Sequence, residues 1–263
     1  MLPAERRQFI LERIESDGSV RTIDLAQRLE VADETIRRDL DWLEQEGLIT
    51  RTHGGAVPLR AFTRERSYDE RKIENIEAKR RIAEEARTLI HSGETLYIDA
   101  SSTAFELVRR IEDFELRIIT HSLNIAELLG HQTAIELHLL GGRFDPESRS
   151  FLGPETLLAL QRFRVDKVIC SGNGIEPTLG VSEINQDQAI LKETAALRAT
   201  RFIFLADHTK LGLPSAYYFT NASRIDHFVT DAPPTHPVVN ELAQMGIQCH
   251  PPSPSKSPSS SSS

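Results

Sequence analysis

Residues 33–57 read DETIRRDLDWLEQEGLITRTHGGAV, two adjacent arginines followed within twenty positions by Arg51, His53 and the pair Gly54-Gly55. Ile36, Leu40 and Leu43 recur at i, i+4 and i+7, the apolar stripe of a helix with one face turned inward. Gly47 ends that helix, and LITRTH-GG-AV then reads as two short strands about a glycine turn. Upstream, residues 5–17 place Phe9, Ile10 and Ile14 at helical spacing, and DGSV breaks the run. TIDLAQRLEV puts Ile23, Leu25, Ala26 and Leu29 on one face of a second helix. Only Val31-Ala32 separates it from the third, the tight spacing of a helix-turn-helix. In that motif the second helix of the pair enters the DNA major groove, its first side chains toward the base edges. With the stripe inward, Glu34, Thr35, Arg37 and Arg38 project outward, and the hairpin would lay Arg51 and His53 on a neighbouring groove or backbone. Gly54 and Gly55 would let its tip turn sharply and approach closely.

Charge alone leaves a second reading open. The 263-residue chain carries a net charge of -8, and its first 60 residues hold nine arginines against twelve acids. Asp39 and Asp41 could pair with the two arginines on a solvated helix face, since a basic patch is the usual footprint of a nucleic-acid binder. A hydrophobic content of 39% and a charged content of 27% are those of a globular protein with room for a small and a medium domain. The N-terminus alternates charged and apolar residues, and no run approaches the roughly 18 apolar residues of a membrane span, so a cytoplasmic location without a membrane partner is expected. Cys170 and Cys249 sit in apolar runs with no zinc or disulfide spacing, as buried free thiols would.

Residues 58–74 begin polar and irregular and read as a linker between an N-terminal unit, 1–57, and a body, 75–250. The body opens with NIEAKRRIAEEARTLIHSG, a long amphipathic helix carrying Ile76, Ile82, Ala83, Ala86, Leu89 and Ile90. After Gly93 come the apolar runs ETLYIDA, LRIITHS, IELHLLGG, DKVICSGNG, RFIFLAD and HFVTD. Helical candidates lie between most of them, at 103–111, 122–129, 155–163 and 186–199, so a largely parallel sheet covered on both faces is expected. The Ser-rich stretch 251–263 reads as a disordered tail.

The carboxyl ends of such strands are where ligands bind. YIDASST supplies Asp99, Ser101, Ser102 and Thr103 at a helix start, where hydroxyls and free N–H groups suit an anion as readily as a plain helix cap. THS adds Thr120, His121 and Ser122; LLGGR adds Gly141, Gly142 and Arg143; CSGNG adds Gly172, Asn173 and Gly174; LADHTK adds Asp207 and Lys210. Each alone is a turn. Together they line one crevice whose glycines, hydroxyls, amide and two cations suit a small phosphorylated polyol. No cofactor, metal or catalytic set is assigned. The rival reading is a sugar-phosphate isomerase, for which Asp99, Glu176, Glu183, Asp207 and Lys210 could supply acid–base groups.

The motifs resemble those of the DeoR family of bacterial transcriptional regulators. The likeness runs through Thr35-Ile36-Arg37-Arg38-Asp39-Leu40, Leu43-Glu44, Gly47 and Arg51-Thr52-His53-Gly54-Gly55-Ala56. It continues in the Glu77-x-Lys79-x-x-Ile82-Ala83 helix, Asp99-Ala100-Ser101-Ser102-Thr103, Gly141-Gly142, Gly174-Ile175 with Gly180, and Asp207-His208-Thr209-Lys210. Ala32 departs from a family serine able to cap the recognition helix, so Asp33 is expected to cap instead; His121 stands where the family often has Asn. The resemblance implies an α/β protein: a small N-terminal winged helix-turn-helix domain plus a larger parallel-sheet domain similar to the ribose-5-phosphate isomerase-like fold. It also implies a repressor that binds operator double-stranded DNA, a phosphorylated sugar effector, and a homodimer or homotetramer.

Overall fold

The computed structural model describes residues 1–17, 20–52, 54–58 and 66–251. His53 and the 252–263 tail, both given roles by the sequence, lie outside the described residues. The N-terminal unit contains α1 (Pro3–Asp17), β1 (Val20–Arg21), α2 (Thr22–Leu29), α3 (Asp33–Gln45), β2 (Ile49–Thr52) and β3 (Gly55–Pro58). Its core joins Ile10 and Ile14 of α1, Leu25 and Ala26 of α2, and Ile36, Leu40 and Leu43 of α3 to Ile49 and Ala56 of the wing. Ile23, expected inside, is 49% exposed, because the inward arc of α2 is centred on Thr22, Leu25 and Ala26. Helix α3 starts at Asp33 with Ala32 as its N-cap, and no side chain caps it. Asp33 is thus not the cap; with Glu34 it lies in the first turn, where a carboxylate favours the helix dipole.

Strand β1 is too short to leave a sequence pattern. It pairs antiparallel with β3, Val20 opposite Ala56 and Arg21 opposite Gly55, making a three-stranded wing. This pairing accounts for Gly55: a Cβ there would stand 1.7 Å from the Val20 carbonyl oxygen, whereas Gly54 faces open space. The expected tip turn is therefore not what Gly55 serves; close approach of two strands is.

Asp39 does not pair with Arg37 or Arg38. It is 2% exposed, with one carboxylate oxygen bound to Arg6 and the other 2.9 Å from Arg7 Nε, both on α1. The Arg7 guanidinium also lies 4.1 Å from the centroid of the Trp42 ring, which packs Trp42 on its partner helix while leaving it partly exposed.

The body contains α4 (Tyr68–Ile73), α5 (Ile76–Arg87), β4 (Thr95–Ile98), α6 (Ser102–Val108), β5 (Leu116–Thr120), α7 (Leu123–Leu129), β6 (Ile135–Leu139), β7 (Arg143–Asp145), β8 (Ser150–Leu152) and α8 (Pro154–Leu160). It continues through β9 (Val165–Cys170), β10 (Gly174–Glu176), β11 (Gly180–Glu183), α9 (Gln186–Arg198), β12 (Ala199–Leu205), β13 (Tyr217–Thr220), β14 (His227–Val229), α10 (Pro237–Gln244) and β15 (Gln248–His250). Seven strands form one parallel sheet in the order β15-β14-β12-β9-β4-β5-β6, with an apolar cluster on each face. From central β4 the chain winds outward to β6, then returns to β9 and winds the other way. The direction reverses between β4 and β9, the switch point beside whose carboxyl ends sheets of this kind bind ligands.

Helix α4 lies where the sequence reads as linker. A capping box between Ser67 and Glu70 starts it, and Tyr68 is buried edge-on against Phe105 of α6, so the helix belongs to the body. Cys170 is buried and Cys249 partly so, both free. Among the described residues no helix is long and apolar enough to cross a membrane.

The Asp39 lock makes a measurable demand. Asp39→Ala strands two cations against α3 and should cost the N-terminal unit about 3 kcal/mol, whereas losing an exposed carboxylate such as Asp41 costs under about 1 kcal/mol. Urea titration followed by Trp42, the single tryptophan, reports on this unit alone.

Candidate functional site

At the start of α3, Glu34, Arg37 and Arg38 are exposed and Thr35 is half-buried. Arg38 Nε lies 3.3 Å from Glu34 one turn back, in an exposed pair worth about 0.3–0.5 kcal/mol. A DNA phosphate or base edge displaces such a partner at little cost. Among the described residues no ion pair holds the Arg37 guanidinium.

Arg51 is placed otherwise than expected. Its guanidinium reaches back from the wing to Asp41 at 2.9 Å and to the Arg37 carbonyl at 3.0 Å, while its backbone N–H donates to Glu44 at 2.9 Å. Here Arg51 fastens the wing to α3, which sets the angle between them. Gly54 is exposed at the wing tip, and its carbonyl accepts from the Thr22 N–H at 2.8 Å. A cleft of about 650 Å³ borders this face: Arg13, Arg21, Arg28, Arg37 and Arg51 are among its residues on one side, His208, Thr209, Leu211 and His236 on the other. The local gathering of arginines is invisible in the net charge of the first 60 residues.

At the switch point of the sheet, the floor of the crevice is an ion cluster the sequence reading missed. Lys192 of α9 is buried, lies 3.2 Å from Asp99 and contacts Glu183; it also donates to the Ser171 carbonyl at 2.9 Å. Burial works to strip its proton, but Glu183 and Asp99 outweigh it and hold the pKa above the ordinary lysine value. Asp99 further accepts from Ser101 N–H, Ser101 Oγ and Ser171 N–H at 3.1, 2.6 and 3.1 Å, so its carboxylate is saturated. Ser101 caps α6 through the Ala104 N–H at 3.1 Å, which realises the plain-cap reading for that residue. Thr103 is buried beside it, and the Oγ atoms of Ser171 and Ser182 are buried without hydrogen-bond partners.

The rim carries a second group of cations. Lys210 Nζ donates to the Gly172 carbonyl at 2.7 Å, and burial lowers its pKa. Lys79 of α5, only 3% exposed, donates to the Glu74 carbonyl at 2.7 Å and to that of Arg71; burial, then repulsion from Lys210, lower its pKa to about 8. Arg71 Nε is buried and unpaired, while the Arg71 carbonyl accepts from Ser102 Oγ at 3.3 Å. Asn75 Nδ2 lies 3.3 Å from both Asp207 Oδ1 and Thr209 Oγ1, joining the α4–α5 corner to the end of β12. Lys79 carries a signal that was available: it shares the apolar stripe of α5 with Ile82, Ala83 and Ala86.

The remaining candidates make contacts within the body. Thr120 is buried and accepts from Ser122 N–H at 3.1 Å. A Cβ on Gly142 would stand 2.1 Å from Thr156 Oγ1, and Thr156 donates to the Gly141 carbonyl at 2.9 Å. Arg143 is exposed and pairs with Asp187 at 2.9 Å. A Cβ on Gly174 would lie 1.8 Å from the Leu213 carbonyl oxygen, and Asn173 Oδ1 accepts from Ile184 N–H at 3.3 Å. His121 is buried at the sheet end, between the Tyr97 hydroxyl at 3.0 Å and Gln188 Oε1 at 3.2 Å, so Nε2 carries its proton and Nδ1 accepts. Of the groups suited to an isomerase, Asp99 and Glu183 are committed to Lys192, and Glu176 binds the Tyr218 hydroxyl in the small antiparallel sheet.

A winged helix-turn-helix joined to a parallel α/β body with a polar crevice defines a DNA-binding protein with an attached sensor. Residues 6–60 match the DeoR-like helix-turn-helix domain, and residues 74–232 match the DeoR C terminal sensor domain. The chain belongs to the DeoR family: it is a transcriptional regulator, not an enzyme. It is similar to the HTH-type transcriptional regulator YulB of Bacillus subtilis, 35% identical over 232 residues that cover 88% of this chain and 90% of that protein. It is also similar to the lactose phosphotransferase system repressor of Streptococcus mutans, 32% identical with 88% and 93% covered. Among solved structures, ribose 5-phosphate isomerase A from Methanocaldococcus jannaschii overlaps 52% of this chain and 55% of its own, at 21% identity and a TM-score of 0.38, a distant likeness.

Buried His121 gives a pH dependence with a definite sign. Burial lowers its pKa from 6.5 to about 4, so between those values the unfolded chain binds the extra proton and stability falls as the pH drops. His121→Asn should flatten that loss, seen as a wild-type minus variant difference in unfolding midpoint that shrinks from pH 7 to pH 4.

Proposed function

We propose that this regulator represses a carbohydrate-utilisation operon in the cytoplasm and releases its operator when a phosphorylated sugar occupies the crevice. The observation that carries the reading is the division of charge within one chain. Arg37 and Arg38 stand exposed at the start of a recognition helix, while Lys79, Lys210 and Arg71 line the rim of a strand-end crevice. The first pair suits the phosphates and base edges of a duplex, with Arg38 freed from Glu34 on contact. Glu34, Thr35, Gly54 and His53 complete the proposed DNA-facing set, and Arg51 orients the wing. Asp99, Ser101, Ser102, Thr103, Gly172, Asp207 and Lys210 form the proposed effector site, with Thr120, Gly141, Gly142, Arg143, Asn173 and Gly174 shaping the surrounding loops. The related lactose phosphotransferase system repressor is consistent with control of sugar metabolism.

Release requires the effector to favour one arrangement over another; equal affinity for both shifts nothing. The 208–213 segment is placed to take part, since Lys210 points to the crevice rim while His208, Thr209 and Leu211 line the cleft facing the arginines. A homodimer or homotetramer would present paired helices to two half-sites.

Fluorescence anisotropy on an operator fragment at fixed salt tests both halves. Arg37→Ala and Arg38→Ala should each weaken binding by roughly 1–3 kcal/mol if they read bases. Wild-type affinity in both would remove α3 from the groove. Lys210→Ala should bind DNA as wild type does yet ignore sugar phosphates; a normal response would make Lys210 structural.

A further inference from the structure

Helix α9 carries more apolar surface than the core of the body uses. Ala189, Leu191, Ala195 and Ala196 fill its inward face and join the apolar cluster on one side of the sheet. The side of a surface helix that is turned to water is ordinarily polar. Here Ile190 and Leu197 stand on that side, two turns apart, 37% and 69% exposed. Half-buried Thr194 lies between them, so positions i, i+4 and i+7 form a second, outward stripe. Helix α8 packs against α9 and turns Leu158 to solvent as well. Exposed charges flank the stripe, Glu193 on one side and Arg198 on the other. At a spacing of five the two point away from each other on the helix, and among the described residues neither makes an ion pair.

We propose that this face is the contact between two copies of the chain, their α9 helices packed side by side and parallel about a two-fold axis. A stripe at i, i+4 and i+7 is a seam by which two helices pack, and charges that bracket such a seam set partner and orientation. In the parallel arrangement Ile190 and Leu197 each meet their own counterparts, and Glu193 faces Arg198 of the partner subunit. The two-fold axis forms that ion pair twice. In an antiparallel arrangement the two Glu193 carboxylates approach each other near the axis, and their repulsion disfavours it. An apolar stripe with one acid and one base beside it is thus complementary to itself, which is what a symmetric contact requires. A stable interface buries about 800 Å² per partner, more than a two-turn stripe supplies, and Leu158 of α8 extends the apolar surface beyond α9. The proposal rests on the homo-oligomer part of the reading above and is independent of the effector and the operator.

Sedimentation velocity on the full-length protein tests this. Wild type should sediment as a dimer or a larger closed assembly. Ile190→Glu combined with Leu197→Glu should weaken self-association at least about 100-fold, because it buries unpaired charge. Met245→Glu, at an exposed apolar position closing α10, should leave it unchanged. Glu193→Arg and Arg198→Glu should each weaken it about tenfold by setting like charges together. Mixing those two single variants, or placing both substitutions in one chain, should restore assembly. The charge swaps decide the matter even if the doubly substituted apolar variant fails to fold, since a misfolded chain is not rescued by its partner. Wild-type assembly in the folded apolar variant or in the single swaps, or no recovery on mixing, would overturn the interface yet leave the homo-oligomer standing. A wild type that stays monomeric would overturn both.

Discussion

Asp39 decides what the two arginines beside it can do. Four consecutive residues of α3 alternate in destination: Ile36 enters the core, Arg37 and Arg38 face outward, and Asp39 turns back in. Because Arg6 and Arg7 of α1 take its carboxylate, the acid is spent on fixing α1 against α3 and does not quench its neighbours. The same contact gives the helix a rigid base, extended by Arg7 over Trp42. A reading face held this way keeps its exposed guanidiniums in a set orientation before any duplex arrives, which lowers the ordering cost of binding.

The body applies the opposite economy of charge at two levels. On the floor of the crevice, Lys192, Asp99 and Glu183 satisfy one another around the reversal point of the sheet and hold β4, β9 and α9 together. A buried group of this kind is strongly destabilised when one member is lost, so it suits a scaffold better than a binding surface. At the rim the cations meet carbonyls and hydroxyls in place of carboxylates, and that difference separates the proposed ligand-facing layer from the supporting one. His121, neutral and bonded at both ring nitrogens, belongs with the support.

Much of this was legible in the sequence. The stripe Ile36, Leu40, Leu43 located the recognition helix, and six apolar runs located six of the seven strands. What escaped was set by contacts distant in sequence or by elements too short to show a period. Strand β1 has two residues, β15 three, and the β10-β11-β13 sheet is built from segments of three or four. Helix α4 was hidden in a polar stretch, though Ser67 and Glu70 have the spacing of a capping box. At the strand ends, Gly142 and Gly174 also answer to atoms far along the chain, Thr156 and Leu213, which no local pattern shows. The inward placement of Lys79 and Lys192 is hard to see in sequence, because a lysine on a helix normally faces solvent.

Whether one chain couples an arginine grip on DNA to capture of a phosphorylated sugar is read from operator affinity measured with and without sugar phosphates at constant ionic strength. At least one such compound should weaken operator binding of the full-length protein by about 5- to 150-fold, the usual range for coupled sites, while the unphosphorylated sugar should not. Identical operator affinity across a panel of pentose and hexose phosphates would contradict it.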